Sequence, residues 1–259
     1  MMTWNIKDGG GDRLDAILRV IDAYRPDLLA LQELGHVHRG RSRLLARIEA
    51  ATGMRGHLAP SLLGQAVAVL VRPPGAIVSS GRVRGPMRHA AAHVTVATDA
   101  GPLTVASAHL HPTSPRRRYR EARRLAASVD SVTVLMGDLN ALDHPVPLAA
   151  RHRRRHVTRG RVDTRAVGAL AAAGLVDLYR LVGTGAPDTV PTGLDGAEFP
   201  VARLDYVMGT AAVAALARDC HVARDAGTAS DHFPVVARID LNFARPGVGE
   251  GGSRTTMGM

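Results

Sequence analysis

The stretch Val132-Thr133-Val134-Leu135-Met136-Gly137-Asp138-Leu139-Asn140 joins a short apolar run to a carboxylate and a carboxamide. The run is rich in β-branched residues, which predicts a buried strand, and Gly137 allows the chain to turn where the run ends. Asp and Asn often follow strands only to cap a turn. Asp138 and Asn140 are therefore candidate catalytic residues whose role depends on what the rest of the chain brings beside them.

Length and composition are typical of one large domain. The chain has 259 residues, of which 46% are hydrophobic, so it can bury a substantial core. Only 3% of the residues are aromatic, which makes stacking platforms for single-stranded bases scarce. We expect a catalytic domain over residues 1–242 and a disordered tail, rich in glycine and polar residues, over 243–259.

The net charge favours a polyanionic partner. Lys and Arg together outnumber Asp and Glu by 33 to 23, which gives a formal net charge of +10. Such an excess is typical of proteins that bind nucleic acid or phosphorylated surfaces. Lys7 is the only lysine, so part of the arginine excess could instead reflect a GC-rich coding sequence.

Cysteine content and the amino terminus favour an intracellular location. Cys220 is the only cysteine, which excludes an intramolecular disulfide and favours a reducing compartment. The amino terminus carries no basic segment followed by an apolar stretch, and no run is suited to span a membrane. We expect a cytoplasmic monomer; the short distance from Met1 to the first predicted strand leaves an upstream leader open.

Apolar periodicity predicts both helices and strands. Spacing of three and four residues predicts helices, and short β-branched runs predict strands. The predicted helices are one capped by Asp12 and ended at Arg25, and three over Ser42–Thr52, Arg116–Val129 and Thr164–Ala173. The predicted strands are Trp4–Ile6, Leu28–Leu31, Ala66–Val71, His93–Ala97, Leu103–Ala108, Val132–Met136, Leu204–Met208 and Pro234–Leu241. This order indicates sheets covered by helices.

Polar residues recur at the ends of the predicted strands. They are Trp4-Asn5, Gln32-Glu33, His109 with His111, Asp138 with Asn140, Asp205 within Arg203-Leu204-Asp205-Tyr206, and Ser230-Asp231-His232 before the last strand. Proteins that mix helices and strands tend to place their chemistry at such positions. The sequence therefore predicts that these side chains form one polar site.

In the order and kind of these motifs, the sequence resembles the endonuclease/exonuclease/phosphatase superfamily. That group includes DNase I-like nucleases, abasic-site endonucleases, inositol polyphosphate 5-phosphatases and neutral sphingomyelinases. The resemblance rests on Leu31-Gln32-Glu33, Gly137-Asp138-Leu139-Asn140, Leu204-Asp205-Tyr206 and Ser230-Asp231-His232, and it extends over about Thr3 to Ala237. It implies an α/β (α+β) fold of DNase I-like type: a four-layer α/β-sandwich with two packed mixed β-sheets flanked by helices.

The resemblance also implies a metal site. Glu33 would be the principal ligand of Mg²⁺, or of Mn²⁺ as a substitute, with Asn5 and Asp231 beside it directly or through water. Hard oxygen ligands that leave several waters in place favour these ions. Asp8 falls one residue later than the acidic metal neighbour of some abasic-site endonucleases, which predicts a simpler metal site.

The remaining residues would act on the phosphate, again by resemblance. Asp138 would orient and deprotonate the attacking water, Asn140 would donate a hydrogen bond to the charged transition state, and His109 would donate to a phosphate oxygen. Asp205 would pair with His232 as a carboxylate does in a hydrolase triad. The nearby carboxylates should raise the pKa of His232, but its role as base or as cation stays open.

Two arginine-rich stretches are candidate substrate-binding surfaces. The first is Arg116, Arg117, Arg118 and Arg120, and the second is Arg151, Arg153, Arg154, Arg155, Arg159 and Arg161. The first stretch fits the solvated face of a helix equally well. The second shows no helical period and predicts a basic loop that contacts phosphate. The candidates for phosphate binding are Arg116, Arg117, Arg154 and Arg155.

Three functions fit these observations. The first interpretation is a metal-dependent nuclease acting on DNA or RNA. The second is a phosphatase or phosphodiesterase acting on a small-molecule or lipid phosphoester, because the chemistry of a fold does not fix its leaving group. The third is a non-catalytic nucleic-acid-binding protein that keeps the fold.

Overall fold

The computed structural model describes residues 1–35, 42–129, 133–194 and 199–244. The strands are β1 (Met2–Asn5), β2 (Leu28–Gln32), β3 (Arg55–Ala59), β4 (Val67–Val71), β5 (Ile77–Arg82), β6 (Ala91–Thr98), β7 (Gly101–His109), β8 (Thr133–Asp138), β9 (Val157–Thr158), β10 (Arg161–Val162), β11 (Leu175–Asp177), β12 (Gly183–Thr184), β13 (Asp205–Thr210), β14 (Ala217–Val222) and β15 (Val235–Ile239). The helices are α1 (Leu14–Tyr24), α2 (Arg43–Thr52), α3 (Pro115–Ala126), α4 (Ala150–His156), α5 (Arg165–Ala172), α6 (Leu178–Val182) and α7 (Ala211–Ala214), with 3₁₀ turns over Asp8–Arg13 and Arg224–Ala226.

Alternating side chains build a four-layer sandwich. In β4, Val67, Val69 and Val71 point into the core between two sheets, while Ala68 and Leu70 pack under α1 and α2. This period of two is what a strand buried on both faces requires. The sheets run β12-β14-β15-β1-β2-β4-β3 and β11-β13-β8-β7-β6-β5, and α3 and α5 cover the second sheet. The predicted fold class, two mixed sheets flanked by helices, is confirmed.

Strand register brings the polar strand ends to one edge. β1 and β2 are parallel, with Asn5 opposite Gln32. β7 and β8 are also parallel, with His109 opposite Asp138. β13 runs antiparallel to β8, so its first residue, Asp205, also lies opposite Asp138. The ends of four strands and the start of a fifth therefore meet at the same edge of the sandwich.

The predicted and observed ends of a helix agree best where the sequence contains a capping residue. Ser42 caps α2 by accepting a hydrogen bond from the backbone of Leu45 at 3.1 Å, and Gly53 ends the helix with φ at +69°. The predicted cap at Asp12 is wrong, because the chain enters α1 from a 3₁₀ turn and Arg13 occupies the cap position. α3 ends at Ala126, three residues before its predicted end.

The second arginine stretch begins as a helix, which corrects the prediction of a basic loop. In α4, three exposed arginines and the half-buried Arg155 surround His152 and His156, which are both buried. Residues four apart share one face of a helix, so these two histidines supply the buried face that apolar residues usually supply. Because no apolar period is present, the pattern did not predict this helix.

Two further predictions, the domain boundary at residue 242 and the strand that begins at Val132, fall at the limits of the described ranges. Phe243 forms a bridge with Thr98, and the backbone of Ala244 donates to Ala97, so contacts with β6 continue two residues past the predicted boundary at 242. The rest of the predicted tail, residues 245–259, and Val132 of the predicted strand lie outside the described residues. Each helix in the described ranges is too short or too polar to cross a membrane.

Candidate active site

The predicted catalytic residues meet around the carboxylate of Asp138, which is 1% exposed. One of its oxygens, Oδ1, accepts a hydrogen bond from the backbone of Asn140 at 2.8 Å. The other, Oδ2, accepts from Asn5 Nδ2 at 3.1 Å and from Asn140 Nδ2 at 3.2 Å, and His109 Nε2 lies 3.3 Å away. Donors from three strand ends therefore converge on one buried oxygen.

The charges around Asp138 keep it ionised. Burial alone would raise the pKa of Asp138, but the facing imidazoles of His232 and His109 lower it well below the ordinary range of a carboxyl group. Burial would likewise lower the pKa of His109, but Asp138 raises it above its usual value. The carboxylate and the imidazoles therefore stabilise one another's charged forms.

His232 is held between two carboxylates. Its Nδ1 lies 2.7 Å from Asp205 Oδ2, and its Nε2 lies 3.8 Å from Asp138 Oδ2. Burial would lower the pKa of His232, but Asp205 and Asp138 raise it to about 10. The imidazole is therefore a cation at neutral pH. Trp4 fixes its backbone by donating from Nε1 to the His232 carbonyl at 2.8 Å.

Glu33 lies at the more open side of the site. Its Oε1 accepts from Asn5 Nδ2 at 3.1 Å, and its Oε2 accepts from the backbone of Asp8 at 3.1 Å and from Gln65 Nε2 at 2.8 Å. The same Gln65 nitrogen donates to Asp8 Oδ1 at 2.6 Å. Asp8, whose role the sequence left in doubt, therefore lies beside Glu33, and Gln65 is a member of the site that the sequence did not predict.

Asp231 has a partner that the sequence also did not predict. Its Oδ2 lies 3.2 Å from the ammonium of Lys7, and its Oδ1 accepts from Ser230 Oγ at 3.3 Å. The Ser230 hydroxyl also contacts the backbone oxygen of Asn5 at 2.7 Å. Asp231 therefore joins the network through Lys7 and Ser230.

The donor set tests whether a metal ion fits here. The carboxylates of Glu33 and Asp8 are hard oxygen donors that share one amide, which suits Mg²⁺ with several waters kept. Asn5 does not present its oxygen to that space. Its Oδ1 accepts from the backbone of Lys7 at 3.0 Å, and its amide hydrogens point to Glu33 and Asp138. Asn5 therefore fits a contact through water better than a direct bond to metal.

A second group of potential ligands lies deeper. Asp138, Asp205 and His232 have ligand atoms that all fall within 4.8 Å of one another. All three are buried, and the hydrogen bond between His232 and Asp205 accounts for their closeness. Among the described residues, Glu33 and Asp8 are thus the more accessible donors, whereas this group holds a proton.

Backbone strain concentrates at the site. Six described residues other than glycine have φ in the left-handed region, and four of them are site residues: Lys7 at +49°, Asp8 at +50°, Glu33 at +62° and Asn140 at +49°. Such conformations are unfavourable for residues with a β-carbon and persist where the surrounding structure fixes them, often at functional sites.

His89 links the two halves of the site and was not predicted. Its ring stacks on His109 with centroids 3.8 Å apart and planes at 11°. Its Nδ1 accepts from the backbone of Gln65 at 3.0 Å. Burial lowers the pKa of His89 to about 2, so the ring is neutral. His89 therefore connects Gln65, beside Glu33, to the face of His109.

Three of the four predicted phosphate-binding arginines line one basic pocket. Arg116 and Arg117 from α3 and Arg154 from α4 surround a cavity of about 580 Å³, together with Arg159 and His111. Arg155 is not among the lining residues. Arg118, which the sequence placed either on a substrate-binding surface or on the solvated face of a helix, is 1% exposed and donates to the backbone oxygens of His111, Pro112 and Arg155. We refer to this cavity as the basic pocket.

Known proteins with similar structures share this arrangement of sheets. The chain is similar to a 3'-5' exonuclease from Neisseria meningitidis, with 20% identity over 92% of this chain and 98% of that one and a TM-score of 0.68. It is similar to a 3' phosphatase from Neisseria bound to product DNA hairpin, with 19% identity, the same coverage and a TM-score of 0.68. A mannosyl-6-phosphatase from Bacteroides thetaiotaomicron has 18% identity over 93% and 98% of the chains and a TM-score of 0.68.

At these identities the solved structures establish the fold alone. A comparison with curated proteins found no match. Residues 2–232, nearly the whole described chain, match the family model described as Endonuclease/Exonuclease/phosphatase family. The chain therefore belongs to the endonuclease/exonuclease/phosphatase family.

Proposed function

We propose that the protein is a metal-dependent phosphoesterase that hydrolyses phosphodiester bonds in DNA or RNA. The observation that carries the proposal is the convergence on Asp138: an ionised, buried carboxylate lies within 4 Å of two imidazoles and an asparagine amide. Hydrolysis of a phosphodiester needs an oriented water and positive charge on the phosphate oxygens. This arrangement supplies both from adjacent strand ends.

Asp138 orients the attacking water. The oxygen of the water forms a bond to phosphorus, the bond to the ester oxygen on the opposite side breaks, and the departing oxygen takes a proton from solvent. Because the pKa of Asp138 is low, the carboxylate is a weak base, and it receives the water's proton late, as the new bond forms. Its main contribution is therefore to hold the water in line with phosphorus.

The histidines and Asn140 stabilise the charge that builds on the phosphate. His232 is cationic at neutral pH, so we assign it the role of phosphate stabiliser rather than base. The Asn140 amide donates to Asp138 and to the Leu110 carbonyl, and His109 Nε2 faces Asp138. Each would donate beside His232 by exchanging one of these acceptors for a phosphate oxygen. Glu33, with Asp8 nearby, would hold Mg²⁺ or Mn²⁺, and the ion when bound supplies a Lewis acid that polarises a phosphate oxygen.

The basic pocket favours nucleic acid over a small phosphoester. One of its lining residues, His111, follows the site residue His109 by two positions, which supports a place for the pocket near the catalytic edge. A nucleic acid carries regularly spaced phosphates that such arginines can bind on either side of the cleaved bond. Among proteins with the same fold, one is a 3' phosphatase bound to product DNA hairpin and another is a mannosyl-6-phosphatase. The fold alone therefore does not choose between these substrates, and the basic pocket is what supports nucleic acid here.

The test offers the purified protein several phosphoesters in parallel. Labelled duplex DNA, abasic-site DNA, single-stranded DNA, RNA and a chromogenic phosphodiester are each incubated with Mg²⁺ or with chelator, beside an Asp138→Ala control. We expect cleavage of nucleic acid that requires the metal and is lost in the variant. Turnover of the small ester alone would instead indicate a small-molecule phosphodiesterase, and binding without turnover would indicate a scaffold.

A further inference from the structure

Lys7 occupies an exceptional place in the chain. It is the only lysine among 33 basic residues, and every other long cationic side chain is an arginine. It also lies inside the candidate site, where its ammonium is 3.2 Å from Asp231. An ammonium is a compact point charge, whereas a guanidinium is planar and wide. The site therefore holds the one cation of the chain whose shape approaches that of a small metal ion.

The backbone fixes where that ammonium can reach. The backbone nitrogen of Lys7 donates to Asn5 Oδ1 at 3.0 Å. The backbone carbonyl of Lys7 accepts from the backbone of Gly10 and from Arg13 Nη2, each at 2.9 Å. Its φ of +49° turns the residue out of the line of β1. Because Asn5 also contacts Glu33 and Asp138, it connects Lys7 to both of these carboxylates.

Asp231, the ion-pair partner of Lys7, is also a predicted metal ligand. Its side chain is 10% exposed and that of Lys7 is 25% exposed, so their attraction is only partly screened by water. A divalent ion bound to Asp231 would meet the positive charge of Lys7 at contact distance. Asp231 can therefore hold the ammonium or a metal ion, but not both at full strength.

We infer that the Lys7 ammonium takes the place of a second divalent cation at Asp231. The chain then binds a single metal ion, at Glu33, and uses Lys7 as a further positive charge beside the substrate phosphate, in addition to His232. This inference rests on the proposed function, and it revises the predicted ligand set: Asp231 orients Lys7 instead of ligating the metal.

The test counts metal ions rather than turnover. Mn²⁺ is titrated into the full chain, and free Mn²⁺ is followed by electron paramagnetic resonance. We expect one bound ion per chain in the wild type and in Lys7→Arg, which keeps the charge, and two in Lys7→Ala and Lys7→Gln, which open Asp231. Two ions in the wild type, or one in both neutral variants, would overturn the inference.

Two acidic variants keep the inference separate from the proposed function. We expect Asp231→Asn in the wild-type background to leave the count at one, and loss of the ion would overturn the inference even if the Lys7 variants fail to fold. Glu33→Gln should lose the ion, and retention there would contradict the metal site of the proposed function. In Lys7→Ala, turnover lost at low Mn²⁺ should return as Mn²⁺ is raised.

Discussion

The environment of Asp138 and the basic pocket are both polar, but they are built in opposite ways. The side chains around Asp138 are buried, within hydrogen-bond distance and fixed by strand register. The arginines of the basic pocket lie on helix surfaces and in a loop, and Arg116, Arg117 and Arg154 are exposed. Charges in a buried network interact strongly, whereas exposed charges are screened by water and salt. The first region should therefore govern kcat, and the second should govern substrate binding.

The largest effect should follow removal of the carboxylate at the centre of the site. We expect Asp138→Ala to lower kcat by at least the ~10²–10³-fold typical of one lost stabilising group in an active site. The donors of Asn5, Asn140 and His109 then lose their common acceptor. Steady-state kinetics on the best nucleic-acid substrate measure the loss.

A buried aspartate elsewhere provides the matched control. Asp177 is 8% exposed, caps α6 and pairs with Arg203, so Asp177→Ala should lower the melting temperature while leaving kcat of the folded protein close to that of the wild type. Equal losses of kcat in the two variants would show that the Asp138 effect comes from damage to the fold.

The pH dependence tests whether the charge on His232 belongs to the folded site. Its pKa is raised from 6.5 to about 10. Between these two pH values the folded protein therefore keeps a proton on His232 that the unfolded chain has lost. The resulting stabilisation is complete below pH 6.5 and is lost as pH rises toward 10. We expect the free energy of unfolding to fall over that range while kcat holds until pH approaches 10. Parallel urea titrations and pH-rate profiles measure both.

The control for this profile changes the partner of His232. Burial alone would lower the pKa of His232, and Asp205 is the largest opposing influence. In Asp205→Asn we therefore expect the fall in kcat to move to lower pH. A wild-type kcat that already falls near pH 6.5, or a profile that the variant does not shift, would contradict the cationic role.

The same contrast explains what the sequence could predict. Asn5, Glu33, His109 and Asp138 lie at or just past the ends of parallel strands, so apolar runs followed by polar residues were enough to group them. Gln65 precedes a strand and looks like an ordinary loop residue. It reaches Glu33 because β4 pairs antiparallel with β2, with Leu31 opposite Ala68, and that pairing is a property of the tertiary fold.

Elements with polar or exposed faces also escaped prediction. Helix α4 buries two histidines instead of an apolar stripe. β3 and β5 are edge strands with many exposed or half-buried residues, so their apolar alternation is incomplete. Sequence patterns report burial of apolar side chains, and they are weak wherever a polar group is buried or one side of an element remains in water.

The basic pocket should show itself in KM and in salt dependence. Arg116, Arg117 and Arg154 each add one potential phosphate contact. Neutralising one contact is expected to reduce the slope of log affinity against log salt by about 1. We therefore expect the triple alanine variant to raise KM strongly at low salt, with a smaller change in kcat. Arg153→Ala, on the same helix but outside the lining residues, is the matched control for the single variant Arg154→Ala, and equal effects of these two variants would indicate diffuse attraction instead of a pocket.

The smallest effect is expected at Arg155, which the sequence placed among the phosphate-binding residues. Its backbone oxygen, not its side chain, makes the contact with Arg118 at 3.0 Å, and that contact survives truncation to alanine. Its side chain does not line the basic pocket. We expect Arg155→Ala to change KM and the salt slope less than Arg154→Ala does, measured side by side on one substrate. If the two variants weaken binding equally, phosphate contact extends along the whole of α4. The basic pocket would then be part of a general basic surface and not a separate binding site.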